Sequence, residues 1–162
     1  MGESFLAQKI ASIEQELPSS ISLAYLPSPM AVNLRLSGNT SNQNEIGAYG
    51  QRIAHELADY VYGFSTTSIE EYIYLKLKER KQKLVLIESC TGGYLSNAMT
   101  NIKGSSEVFL GGWNVYSDAF KHMQVGVAQE ILDNYSSVSI ECGKELLLLA
   151  LKKTNADFGI SV

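Results

Sequence analysis

Ten residues constrain this chain more than any others: Leu84-Val85-Leu86-Ile87-Glu88-Ser89-Cys90-Thr91-Gly92-Gly93. An apolar run stops abruptly at small, polar, nucleophile-bearing residues. Two glycines follow, and a helical pattern then begins at Tyr94, Leu95, Ala98, Met99 and Ile102. The pattern predicts a buried strand, a tight turn and a helix start. Backbone N–H groups at a helix start lack partners within the helix. They can bind a phosphate, or stabilise an oxyanion beside a serine or cysteine. Glycines let backbone come close to a ligand.

The remaining composition narrows the class. At 162 residues the chain makes one ordinary domain or two small ones, and 45% apolar with 19% charged residues suits a globular core. A net charge of −4 gives no polyanion-binding footprint. The longest apolar stretch near the C-terminus, Leu146 to Leu151, is too short to span a membrane, so no membrane partner is expected. Met1-Gly2-Glu3-Ser4 lacks the basic region of a signal peptide, and a cytoplasmic location is expected. Cys90 and Cys142 are then expected to be free thiols, and two thiols without clustered histidines make no metal site. His55 and His122 stand alone and read as packing or surface residues.

Along the first third, Phe5, Leu6, Ile10, Ile13 and Leu17 recur at helical spacing, and Pro18 ends the helix. Ile21, Leu23 and Tyr25 alternate with small residues and predict a strand. Pro27-Ser28-Pro29 predicts a turn, and Val32, Leu34 and Leu36 a second, antiparallel strand. A polar loop from Gly38 to Asn44 precedes a helix predicted over 46–61. Helix–strand–strand–helix is a small α+β layer, with two helices on one face of a hairpin. Gly47-Ala48-Tyr49-Gly50 matches the GxxG loop of nucleic-acid-binding KH modules. Residues 1–66, however, carry three basic residues against six acidic ones, the wrong balance for backbone contacts. Two glycines early in a helix is the plainer reading, and nucleic-acid binding is disfavoured. Gly63-Phe64-Ser65-Thr66 reads as a linker.

Beyond it, Thr67-Ser68-Ile69-Glu70 predicts a capping box opening a helix that runs to about Arg80. Lys76, Lys78, Arg80, Lys81 and Lys83 crowd its end, where cations favour the helix dipole. Strand 84–88, the turn and a helix over 92–102 follow, then a second turn at Lys103-Gly104-Ser105-Ser106. A strand is predicted within Val108 to Tyr116, a single helical turn over 117–122 and a short helix over 128–135. Ser139 caps a long helix, and a last strand begins at Asp157. Helices alternating with strands predict a three-layer α/β/α sandwich around a mixed or mostly parallel sheet, preceded by the small α+β domain.

The turn offers two nucleophiles, Ser89 and Cys90. Adjacent side chains in extended backbone point to opposite sides, so one of them faces any site. A cysteine nucleophile wants a histidine partner, and neither histidine stands in such a context. A serine can instead be activated by a desolvated, neutral lysine. Glu88, charged at the end of a buried strand, is expected to hold the turn through hydrogen bonds rather than act on substrate.

The string Glu88-Ser89-Cys90-Thr91-Gly92-Gly93, with Gly104-Ser105-Ser106, Phe109-Leu110-Gly111-Gly112, Tyr116-Ser117 and Lys121, resembles the C-terminal domain of the competence/damage-inducible CinA family. The resemblance covers residues 67–162, and residues 1–63 look like the middle domain of the same longer proteins. It implies a nicotinamide-nucleotide amidase of pyridine-nucleotide metabolism. Such an enzyme hydrolyses the carboxamide of nicotinamide mononucleotide to nicotinic acid mononucleotide and ammonia. It implies Ser89 as nucleophile, Lys121 as base and Tyr116 beside them. Cys90, Thr91, Gly92 and Gly93 would line the substrate, with backbone donors for the oxyanion or the phosphate, and Ser105 and Ser106 would cap a helix or touch ligand. No metal or organic cofactor is implied.

The family pattern continues past Val162 with a further loop, strands and helix, so an incomplete sheet with an exposed edge is expected. Smaller departures are Lys103, Asp118 and Trp113-Asn114, the last replacing an apolar pair. Two functions follow. One is the amidase, completed by another segment or chain. The other is a non-catalytic truncated fragment acting as an oligomerisation or interaction module whose edge pairs with a second copy. A homo-oligomer is expected, and a stable dimer would favour completion by association over a simple fragment.

Overall fold

The computed structural model describes residues 2–28, 31–64 and 67–162. The chain divides into two units, Met1–Thr66 and Thr67–Val162.

In the first unit, helix α1 (Glu3–Gln15) precedes strands β1 (Ile21–Pro27) and β2 (Val32–Gly38), and helix α2 (Gln43–Glu56) closes the order. The strands pair antiparallel, Ile21 with Gly38 through to Pro27 with Val32. The alternation read from the sequence puts Leu23, Tyr25, Val32, Leu34 and Leu36 against Leu6, Ile10, Ile13, Ile53 and Leu57 of the helices. Burying each such side chain stabilises by about 1.5–3 kcal/mol. The Tyr25 hydroxyl donates to Glu14 (2.8 Å). Burial, and then that bond, push its phenol up to about 12. Helix α2 starts three residues earlier than its apolar spacing suggests, because a 3-10 turn at Thr40–Asn42 leads into it. Gly47 and Gly50 lie within α2. Pro29 of the hairpin turn, and Ser65 and Thr66 of the linker, fall outside the described residues.

The second unit is a three-layer α/β/α arrangement. Its elements are α3 (Ile69–Arg80), β3 (Leu84–Glu88), α4 (Tyr94–Thr100), β4 (Phe109–Asn114), α5 (Asp118–Phe120), α6 (Gln129–Tyr135), α7 (Ile140–Thr154) and β5 (Phe158–Ser161). The three strands run parallel in the order β4-β3-β5. Because the central β3 is covered on both faces, its residues are all buried and it reads as an unbroken apolar run. Leu84 and Leu86 face α3 and α4, packing with Tyr74, Leu77 and Met99. Val85 and Ile87 face the opposite layer, with Val115, Val125, Val127, Leu132, Cys142, Leu146 and Ala150.

Caps differ in detail from the sequence reading. Ser68, not Thr67, caps α3, its hydroxyl accepting from Glu71 N–H (3.3 Å). Ser139 caps α7 as expected, accepting from Cys142 N–H (3.1 Å). Lys78 at the end of α3 forms an ion pair with Glu107 (2.9 Å). Among the described residues, strand β5 pairs with β3 alone. It is therefore an edge strand, and its Phe158 and Ile160, with Val162 just beyond it, are exposed.

Candidate active site

Parallel strands separated by crossover helices gather their carboxyl ends along one rim, where ligands of such sheets bind. Here that rim carries Glu88 at the end of β3 with Ser89 after it, Val115-Tyr116 after β4 and Val162 after β5. The Ser89 N–H donates to Val162 O (2.7 Å), and Val115 N–H donates to Glu88 O (2.7 Å). The Glu88–Ser89 backbone is therefore pinned on both sides within the sheet plane.

Alternation then separates Glu88 and Ser89. The Glu88 side chain turns to the α4 layer and is 1% exposed. Its Oε1 accepts from the Ser96 hydroxyl (2.6 Å) and Ser96 N–H (2.8 Å), and its Oε2 from Leu95 N–H (2.9 Å). Burial alone would raise this carboxyl, but the hydrogen bonds from Ser96 and Leu95 outweigh it and hold the group below the usual carboxylate range. Ser89 turns the other way, toward Lys121. The Lys121 Nζ lies 3.2 Å from Ser89 Oγ and 2.9 Å from the Tyr116 carbonyl oxygen.

Lys121 is 2% exposed, although an isolated lysine in this pattern reads as a surface residue. The cause is local. Ser117 caps α5, its hydroxyl accepting from Phe120 N–H (3.3 Å) and its carbonyl from Lys121 N–H (3.0 Å). A π-helical turn, Lys121–Val125, then widens the backbone. The wider turn closes where Gly126 N–H donates to Lys121 O (3.2 Å) and His122 Nδ1 meets Val127 O (2.7 Å). Such single π turns recur at functional sites. Burial pushes the Cys142 thiol up.

The turn after Ser89 has a defined donor inventory. Gly92 and Gly93 take φ of +62° and +98°, a left-handed pair that only glycine adopts without strain. Gly92 N–H donates to Ser89 O (3.2 Å) and Tyr94 N–H to Thr91 O (3.1 Å). Leu95 and Ser96 N–H belong to Glu88. The N–H groups of Cys90, Thr91 and Gly93 make no hydrogen bond among the described residues. Cys90 is exposed, and the Thr91 hydroxyl is buried in the turn.

Not every residue named from the sequence reaches this rim. Tyr116 is here through its carbonyl, while its ring is 79% exposed and its hydroxyl makes no hydrogen bond among the described residues. The reason is alternation: Val115 is fully buried, so Tyr116 turns outward. Ser105 and Ser106 lie at the opposite end. Helix α4 carries the chain back down the sheet, and the 3-10 turn Ser105–Glu107 sits where β3 begins, with Leu84 N–H donating to Val108 O (2.8 Å). A strand of five residues, roughly 16 Å, separates them from Ser89. The structure does not bring them to the Ser89 site, and Ser105 serves that turn, its carbonyl accepting from Val108 N–H (2.9 Å). Ser117 stands in the motif string without a role read from it, and Ser96 is not in that string at all, yet both hold the site together. The only signal was helix-cap chemistry, a serine before Asp118.

The site therefore defines an α/β protein with a half-buried serine beside a buried lysine at the carboxyl rim of a parallel sheet. Comparison with known proteins names the family. The family described as "CinA C-terminal domain" matches residues 66–162, and the chain belongs to the CinA family. It is 34% identical over 165 residues to a CinA-like protein of Chlorobium phaeovibrioides, covering 99% of this chain and 39% of that one. It is 36% identical to a CinA-like protein of Chloroherpeton thalassium with the same coverage. The chain thus spans about two fifths of the length of these curated relatives. Among solved structures, the competence/damage inducible protein CihA from Agrobacterium tumefaciens is similar, with TM-score 0.54 and 30% identity, over 60% of this chain and 61% of that one. The competence damage-inducible protein A from Klebsiella pneumoniae matches with TM-score 0.52 and 30% identity, over 54% of each chain.

Proposed function

We propose that the chain is a nicotinamide-nucleotide amidase with Ser89 as nucleophile and Lys121 as base, acting in the cytoplasm. The observation that carries the proposal is the buried Lys121 Nζ at 3.2 Å from Ser89 Oγ. In its neutral form Nζ accepts the serine proton while still donating to the Tyr116 carbonyl, which aims its lone pair. Ser89 Oγ attacks the carboxamide carbon of nicotinamide mononucleotide, made electrophilic by the cationic ring. The proton passes to Lys121, and the oxyanion meets free N–H groups of the turn. Lys121 returns the proton to the nitrogen as the C–N bond breaks and ammonia leaves. Water, deprotonated by Lys121, then hydrolyses the acyl-serine to nicotinic acid mononucleotide.

Ammonia release from nicotinamide mononucleotide tests this directly. Ser89→Ala is expected to abolish release while leaving the fold intact, and full activity in that variant would remove the serine from the mechanism.

An interaction role draws support from β5, whose outer backbone edge is unpaired among the described residues and whose Phe158 and Ile160 are exposed. A second copy pairing there would appear as a dimer in sedimentation, and a monomer at all concentrations would refute it.

A further inference from the structure

The polar residues buried over their whole surface, among the described residues, are Glu88, Ser105 and Lys121. Lys121 has its role above, and Ser105 serves the far turn. Glu88 is a buried charge directly before the nucleophile that the reaction leaves unused. We propose that Glu88 is a positioning residue for the chemistry at Ser89, an inference that rests on the Ser89–Lys121 pair being reactive.

The sheet holds the Glu88–Ser89 peptide through β4 and β5, but only within its own plane. Rotation about the strand axis, which decides where Ser89 Oγ points, is opposed by the Glu88 side chain on the opposite face. Three hydrogen bonds of 2.6–2.9 Å lock that side chain to the start of α4. The same bonds fix the two-glycine turn at its far end, since Leu95 and Ser96 directly follow Gly93-Tyr94. They also sort the donors. With Leu95 and Ser96 N–H occupied, the unbonded N–H groups left in the turn are those of Cys90, Thr91 and Gly93, next to the nucleophile. The job requires a carboxylate of this length. Three donors converge on two oxygens, whereas glutamine offers one acceptor and turns an NH2 against a backbone N–H. Aspartate is one methylene too short.

The test uses the full chain and phenylmethylsulfonyl fluoride. Ser89 Oγ attacks the sulfur, fluoride leaves, and the hydroxyl proton passes to Lys121; intact mass reads the adduct, with Ser89→Ala as the blank. Glu88→Gln is expected to slow adduct formation about 10- to 100-fold, and Ser96→Ala at least about threefold, with far-UV spectra unchanged. On nicotinamide mononucleotide the same variants lower kcat in proportion while KM holds. A purely structural role would instead change the unfolding midpoint and not the rate in folded protein. Unchanged adduct rates in folded variants overturn the proposal, as does a wild-type Ser89 that does not react. Where Glu88→Gln fails to fold, Ser96→Ala decides alone. A wild-type chain that forms the adduct yet releases no ammonia refutes the amidase assignment and leaves this inference to the adduct rates.

Discussion

Adding one methyl group at Gly112 should strongly destabilise the second unit. Gly112 pairs with Leu86 across β4 and β3. A Cβ built there falls 1.9 Å from the Leu86 carbonyl oxygen and 2.8 Å from its carbon. Carbon and oxygen approach no closer than about 3.3 Å in favourable contacts, so the overlap exceeds about 1 Å. No rotamer relieves it, because the obstacle is backbone. Strand β3 cannot retreat: Val162 N–H is bonded to Ile87 O on its other side (2.9 Å), and both its faces are packed. Strand β4 must move instead, at the expense of the bonds from Val115 N–H to Glu88 O and from Leu84 N–H to Val108 O. Two lost hydrogen bonds at about 1 kcal/mol each, with overpacking of about 1–3 kcal/mol, give a destabilisation of about 4 kcal/mol. For a unit of this size that is a fall of roughly 15–30 °C in Tm. Trp113, the sole tryptophan, is the next residue, so its fluorescence during urea unfolding reports this unit alone. Gly159→Ala is the control. Its Cβ meets the Leu147 Cδ1 at 2.5 Å, the end of a flexible side chain, and should cost only about 1 kcal/mol. A Gly112→Ala midpoint equal to wild type, or a larger loss in Gly159→Ala, would refute the backbone-clash reasoning.

Further outcomes follow from the site. Lys121→Met keeps the stem and removes Nζ; ammonia release should fall by about 10²- to 10⁴-fold, with the tryptophan unfolding transition still cooperative. Glu88 is held below its usual range in the fold, so its stabilisation is complete above the unfolded carboxyl value of about 4.3 and is lost as pH falls through the folded value. The unfolding midpoint should therefore drop on acidification below about pH 4.5. Glu88→Gln should be less stable at neutral pH and lose less over that acid range; parallel pH dependences would refute the assignment.

Much of the architecture is written in local pattern. The period-2 alternation of Leu23, Tyr25 and of Val32, Leu34, Leu36, and the unbroken run Leu84–Ile87, identify strands and say which faces are covered. The nucleophile-bearing turn was visible for the same reason: an apolar run, a serine and a glycine pair form a strand end and a helix start whatever surrounds them. The opposed directions of Glu88 and Ser89 likewise follow from extended backbone. Tertiary structure alone decided what the turn faces. Lys121 is buried because a π turn and the packing of Val125 and Val127 draw it inward, and a run of Lys-His-Met-Gln carries no trace of that. Ser105 and Ser106 stand in the same motif order as Ser89 but at the other end of the sheet, because α4 reverses the chain between them. Tyr116 serves through its carbonyl because burial of Val115 turns its ring outward. Periodicity along a chain records which side of an element meets the core. Which end of the sheet a loop occupies, and which side chains from distant elements meet there, depends on strand order and crossover direction, and those are settled only when the whole core packs.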